Sequence, residues 1–177
     1  MKRIIFDTET TGLSDDDEII ELAITDENGN QLYCQRFNAT KNITRSASKV
    51  NGITDEMLLN MPSFKNEFSK IKEIFDEADQ VLAYNVDFDI RLLSQTCERY
   101  EFDPHWAYSL KTRCVMIMYS NYAYDFYNIT PTFRKHKLTN ACEKMNIKIE
   151  NAHSAMGDCV MTAALIKKMH DACSEKK

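Results

Sequence analysis

The segment Arg3-Ile4-Ile5-Phe6-Asp7-Thr8-Glu9-Thr10-Thr11-Gly12 decides how the rest of the chain is read. Three apolar residues lead directly into two acids two positions apart. The apolar run reads as a buried strand, and the polar half as a turn leaving its end. Side chains two apart on a strand end point the same way, which brings the carboxylates of Asp7 and Glu9 close together. Two carboxylates so placed favour a cation between them. A lone Asp-x-Glu reads equally well as an acidic turn, so the decision falls to the residues further along.

Glu18 to Thr25 and Gln31 to Phe37 are the next strand candidates, and Asp26-Glu27-Asn28-Gly29-Asn30 between them is a hairpin signal. An antiparallel meander of three strands is expected first. From Thr54 the pattern turns helical, with a short helix at Thr54-x-x-Met57 and then Phe64, Phe68, Ile71, Phe75 and Ala78 at helical spacing behind a Ser63 N-cap. Val81 to Tyr84 reads as a buried parallel strand, and Asn85 as the cap of a helix reaching Tyr100. Tyr108 to Leu110 is the candidate last strand. Residues 112 to 120 read as helix, 121 to 135 as loop, and Leu138 to Met145 and Ser154 to Ala172 as closing helices. A hairpin followed by alternating helix and strand gives an α/β domain with a mixed sheet.

Two more acids stand out by their position on helices. The apolar stripe through Leu92, Leu93, Thr96 and Tyr100 carries Asp89, whereas Asp87 falls on the solvated face. The stripe through Met161, Leu165, Met169 and Ala172 has Asp158 at its head. An unpaired buried carboxylate costs several kcal/mol or stays neutral, so both positions ask for a basic partner or a metal. His153, five residues before Asp158, is placed to reach a water near the same acids. His105, His136 and His170 read as surface residues.

The chain has 177 residues, 44% hydrophobic and 28% charged, with only 4 Gly and 3 Pro and no linker-like stretch, so one domain over residues 1–177 is expected. The opening residues are too quickly charged for a signal peptide or membrane span, and a cytoplasmic protein without membrane contact is expected. Six cysteines without a Cys-x-x-Cys pair argue against a zinc ribbon and for reduced, mostly buried thiols. A net charge of −5 argues against broad electrostatic capture of nucleic acid, but two bound divalent cations would bring it to −1 and attract phosphate locally.

Three ordered motifs together resemble the DEDDh 3′-5′ exonuclease superfamily, which holds the epsilon subunit of DNA polymerase III and exonuclease X. They are Asp7-Thr8-Glu9-Thr10-Thr11-Gly12-Leu13, Tyr84-Asn85-Val86-Asp87-Phe88-Asp89 and His153-Ser154-Ala155-Met156-Gly157-Asp158. Val50-Asn51-Gly52-Ile53-Thr54-Asp55-Glu56 and the run from Asp158 to Leu165 add smaller matches. The resemblance implies a ribonuclease H-like fold, a five-stranded mixed sheet with helices packed against it. It implies hydrolysis from the 3′ end of DNA, single-stranded by preference, with two Mg²⁺ or Mn²⁺ ions as cofactors. Asp7 would bridge the two ions, Glu9 and Asp158 complete one, Asp89 assist through water, and His153 serve as base. Leu13 would wedge against the terminal bases, the Thr10 main chain meet the 3′ hydroxyl, and Phe88 pack by the sugar or base.

Departures from the family pattern are informative. Tyr84 stands where many relatives have His, and Asn51 where the family's Val-His-Gly-Ile has its His, a position associated with the bound nucleotide. Only Asp171 to Lys177 could follow the last helix, so no dedicated tail for a polymerase partner is expected. An RNA 3′ exonuclease of the ribonuclease T or oligoribonuclease type is the alternative, since the same catalytic set serves both sugars. The aromatic set Tyr119, Tyr122, Tyr124, Phe126, Tyr127 and Phe133 reads as cover for the sheet, with a stacking surface for single strands as its alternative.

Overall fold

The computed structural model describes residues 1–127 and 136–174. Strands β1 (Arg3–Thr10), β2 (Ile19–Asp26) and β3 (Gln31–Arg36) form the antiparallel meander. Asp26 closes the hairpin: its carboxylate accepts the Asn28 and Asn30 amides at 2.8 and 2.9 Å, and Gly29 takes the left-handed φ of 85° that the turn needs. β4 (Gln80–Ala83) and β5 (Thr112–Cys114) then add in parallel, giving a five-stranded mixed sheet of order β3-β2-β1-β4-β5. β1 is central, and its alternation sends Ile4 and Phe6 to one face and Ile5 to the other.

Helices cover both faces. On one side α3 (Phe64–Asp76), α4 (Val86–Arg99) and α5 (His105–Ser109) bury Phe64, Phe75, Leu92 and Trp106 against Ile4, Phe6 and Leu22. On the other, α6 (Val115–Tyr127), α7 (Leu138–Lys144) and α8 (Ala155–Ser174) bury Tyr119, Cys142, Leu165 and Met169 against Ile5, Ala23 and Leu82. Two short helices, α1 (Arg45–Asn51) and α2 (Asp55–Leu58), bridge β3 and α3. No described helix is long and apolar enough to cross a membrane. The architecture is the expected ribonuclease H-like one.

Several local expectations are corrected. β1 does not end at Phe6; it runs to Thr10, because Asp7 to Glu9 continue to pair with Ala23 to Glu21 on β2. A bulge on β2 at Ile20, between the pairs Glu9–Glu21 and Thr10–Ile19, bends the chain only at the strand's end. Tyr108 and Ser109 end helix α5, whose Trp106 and Ala107 enter the core; the edge strand is Thr112–Cys114, too short and exposed to announce itself by an apolar run. α6 starts at Val115 and continues to Tyr127 through residues read as loop, since burial of Tyr119, Tyr122 and Ala123 on one face outweighs the weak propensity of a Tyr- and Asn-rich stretch. Tyr119 and Tyr122 thus cover the sheet, Tyr124 is exposed, and the side chains of Phe126, Tyr127 and Phe133 lie outside the described residues. Asn85 occupies the N-cap position of α4 without a side-chain capping bond, whereas Ser63 does cap α3 through the Asn66 amide. His136 is half-buried, its ring edge-on to Tyr119. All six cysteines are free, three of them buried.

Candidate active site

All nine residues singled out from the sequence line one cleft of about 380 Å³ at the C-terminal end of β1: Asp7, Glu9, Thr10, Leu13, Asn51, Phe88, Asp89, His153 and Asp158. Asp7 and Glu9 alternate with the buried Thr8 and share the sheet face with Ile5, the face that α8 covers. Asp158, in the first turn of α8, meets them there, and carboxylate oxygens of Asp7, Glu9 and Asp158 all lie within 4.8 Å of one another. Asp89 arrives from the opposite layer, in the first turn of α4; it is 3% exposed and its Oδ1 accepts the Thr8 hydroxyl at 2.7 Å. It stands outside the close trio. His153 is exposed at the cleft, and its backbone N–H donates to Asp158 Oδ1 at 3.3 Å.

Among the described residues, no lysine or arginine forms an ion pair with any of these four acids. Burial pushes the Asp7 carboxyl well above the usual range, and the charges of Asp89, Asp158, Glu9 and Glu21 push it further. Glu9 rises to about 8, through burial first and then Asp158 and Glu21, against a hydrogen bond from Asn51. Burial raises Asp89 to about 7 against the hydrogen bonds of Thr8, and raises Asp158 against the His153 contact. Three oxygen-only ligands with no compensating cation fit a hard divalent ion such as Mg²⁺ or Mn²⁺.

The sign of the pH dependence follows. These groups hold protons in the folded protein at pH values where the unfolded chain, with ordinary values of 3.8 and 4.5, has lost them. Stability of the metal-free protein is therefore expected to fall as pH rises from about 5 to about 8. Thermal melts with and without Mg²⁺ check this: added metal should raise the melting temperature more at the upper end of that range than at the lower.

Two loops hold the cleft in shape, and sequence reading missed what stiffens the first. Asp17 and Glu18, 1% and 0% exposed, knit the turn between β1 and β2. Asp17 accepts from Thr11 Oγ1 and from the Ser14 amide, both at 2.7 Å; burial opposes its charge, yet these bonds hold it well below the usual carboxylate range. Glu18 accepts from Thr40 and the Tyr100 hydroxyl. Gly12 lies against Asp17, where a Cβ would come within 2.5 Å of a carboxylate oxygen. Leu13, 76% exposed, is presented at the cleft by this braced turn, with Arg91 donating to its carbonyl and lying over the Phe88 ring. On the far wall α1 has no buried residue and offers Ser46, Ala47, Val50 and Asn51 to the cleft.

The second loop carries His153 in the left-handed region, φ 64°. It is wound tightly by Ser154, whose N–H and hydroxyl both donate to the Asn151 carbonyl. Gly157 makes the winding possible, since a Cβ there would sit 2.2 Å from that carbonyl oxygen. Gly157→Ala is expected to destabilise the fold by about 1–3 kcal/mol and to weaken Mn²⁺ binding by displacing Asp158, read by denaturant melts and calorimetry.

A family model described as an exonuclease, RNase_T, matches residues 4–166. The uncharacterized exonuclease CP81 of Escherichia phage 186 is 36% identical over 168 residues, covering 93% of this chain and 86% of that protein. The PolC-type DNA polymerase III of Bacillus subtilis is 31% identical over 179 residues, covering 98% of this chain but 12% of the polymerase. Among solved structures, E. coli exonuclease I in complex with a dT13 oligonucleotide superposes with a TM-score of 0.75 at 22% identity, covering 99% of this chain and 43% of that one. The zinc-bound complex of the same enzyme with single-stranded DNA gives 0.80 at 21% identity, covering 99% and 41%. That likeness is one of fold.

Proposed function

The chain belongs to the exonuclease family, and from that premise we propose that it releases nucleoside 5′-monophosphates one at a time from the 3′ end of DNA, single-stranded by preference. In this reading residues 1–177 act as one exonuclease domain in the cytoplasm, with two Mg²⁺ or Mn²⁺ ions per site. The observation that carries it is the trio Asp7, Glu9 and Asp158, with oxygens within 4.8 Å and no compensating cation, beside the exposed His153.

Asp7, Glu9 and Asp158 would hold the ions, and Asp89, whose Oδ1 accepts the Thr8 hydroxyl, would act through water. Divalent ions there would lower the pKa of water and neutralise charge on the phosphate and leaving oxygen. His153 takes the proton from the attacking water; its exposure gives it a path to pass that proton to solvent. The Thr10 backbone and Asn51 meet the terminal nucleotide. Asn51 already binds locally, its Oδ1 accepting the Ile53 amide at 2.9 Å, so it lies on a preset rather than a mobile arm. Leu13 and Phe88 present apolar surface to the last base and sugar. The DNA oligonucleotides named with E. coli exonuclease I and the polymerase setting of the PolC relatives support DNA over RNA, and leave a polymerase as a candidate partner.

A 5′-labelled single-stranded oligonucleotide incubated with Mg²⁺ tests the reading. A ladder shortening from the 3′ end, stopped by EDTA and restored by Mg²⁺ or Mn²⁺, is expected. Labelled mononucleotide released at once would reverse the polarity. A preference for matched RNA beyond about tenfold would replace DNA as the substrate.

A further inference from the structure

Glu21 is the acid that neither the motifs nor the helical stripes reveal. It sits in the middle of β2, 5% exposed, flanked by the buried Ile20 and Leu22. A carboxylate in such a place is tolerated only when its oxygens are paired. Both are. Oε2 accepts the Arg36 Nε–H at 2.5 Å, and Oε1 accepts the backbone N–H of Ala155 at 2.9 Å. In the strand register Glu21 faces Glu9 on one side and Arg36 on the other, so the three form a single row across β1, β2 and β3.

Ala155 opens α8, less than one turn before Asp158 and two residues after His153. The remaining hydrogen bonds given by oxygen or nitrogen donors at residues 153–158 stay within the loop and first turn: His153 to Asp158, Ser154 to Asn151, Gly157 to Ser154, and Asp158 to the Ser154 carbonyl. Among the described residues, the Glu21 bond alone of these ties that turn to the sheet that carries Asp7 and Glu9. A negative charge at a helix N-terminus is also favoured by the helix dipole.

We propose that Glu21 is a positioning residue: by accepting the Ala155 amide it fixes the first turn of α8 so that Asp158 and His153 stand against Asp7 and Glu9, while Arg36 serves only to balance its buried charge. Glu21 does not itself enter the ion-binding trio. The inference rests on the exonuclease reading for its catalytic consequence and on the geometry of the trio for its effect on metal binding.

Two variants separate the acceptor from the charge. Glu21→Leu removes both. Glu21→Gln combined with Arg36→Met removes the charge pair but leaves an amide oxygen for Ala155. Mn²⁺ binding is measured by calorimetry without DNA, and kcat and KM on the labelled oligonucleotide, with melting curves as the check on folding. Glu21→Leu is expected to weaken Mn²⁺ binding and lower kcat by about 10- to 100-fold, the range for residues that orient metal ligands, with KM for DNA nearly unchanged. The double variant should stay within about threefold of wild type in both, far short of that range. Wild-type Mn²⁺ affinity in Glu21→Leu, or an equal loss in the double variant, would overturn the proposal. If Glu21→Leu does not fold, Glu21→Leu combined with Arg36→Met, which leaves no unpaired charge, takes its place with the same expected loss and the same overturning result. Failure of the strand-cutting reading would show in wild-type turnover, whereas failure of this one shows in metal affinity.

Discussion

Replacing Asp7 by asparagine is expected to cut turnover by about 10³-fold or more while making the metal-free protein more stable. Both effects have one origin. Asp7 is the acid on which the others converge, its carboxyl driven up by burial and by Asp89, Asp158, Glu9 and Glu21 together. The amide keeps the shape and removes the charge, so repulsion with the four neighbours disappears and the melting temperature above neutral pH should rise. On the proposed reading the same change takes a ligand from the trio with Glu9 and Asp158, and the expected loss of transition-state stabilisation at about 1.4 kcal/mol per decade exceeds about 4 kcal/mol. Single-turnover rates and thermal melts on one preparation test the pair. Activity retained to within about tenfold would remove Asp7 from the chemistry, and a lowered melting temperature would show that the acid is structural.

His153→Asn is expected to lower kcat by about 10²–10⁴-fold, the range for a lost general base, with Mn²⁺ affinity close to wild type. Asparagine is the informative replacement because His153 has φ 64°, a region asparagine tolerates better than most residues. The backbone N–H that bonds Asp158 is also kept, so the carboxylate should not move. Calorimetry and single-turnover kinetics separate the outcomes: metal affinity lost in parallel with turnover would make His153 a holder of Asp158 rather than a base.

The elements that declared themselves in the sequence did so through periodicity. Asp89 and Asp87 differ by two positions on α4, and helical phase alone separates the acid that is 3% exposed from the one in solvent. The Asp26 to Asn30 hairpin and the Phe64–Phe75 stripe were legible for the same reason, that local chemistry and tertiary burial agree there. Where they disagree, the sequence misleads. Asp7 to Thr10 look like a turn by polarity and are strand because β2 pairs with them. The edge strand Thr112–Cys114 has no apolar signature because an edge needs none. Asp17, Glu18 and Glu21 escaped notice because a buried acid is recognised by its partners, and those lie far along the chain: Lys41, Tyr100, and the amide of Ala155.

The four acids reach the cleft from three directions: two from the central strand, Asp89 from the layer packed on one face, and Asp158 from the layer on the other. A half-folded molecule, with only one layer docked, therefore owns at most part of the ion-binding set. Nuclease activity is in this way made conditional on complete assembly, and a cation held by Asp7, Glu9 and Asp158, with Asp89 reached through water, would act as a rivet through the sandwich. A chain loosened by heat or damage would lose its capacity to cut nucleic acid before it lost its helices.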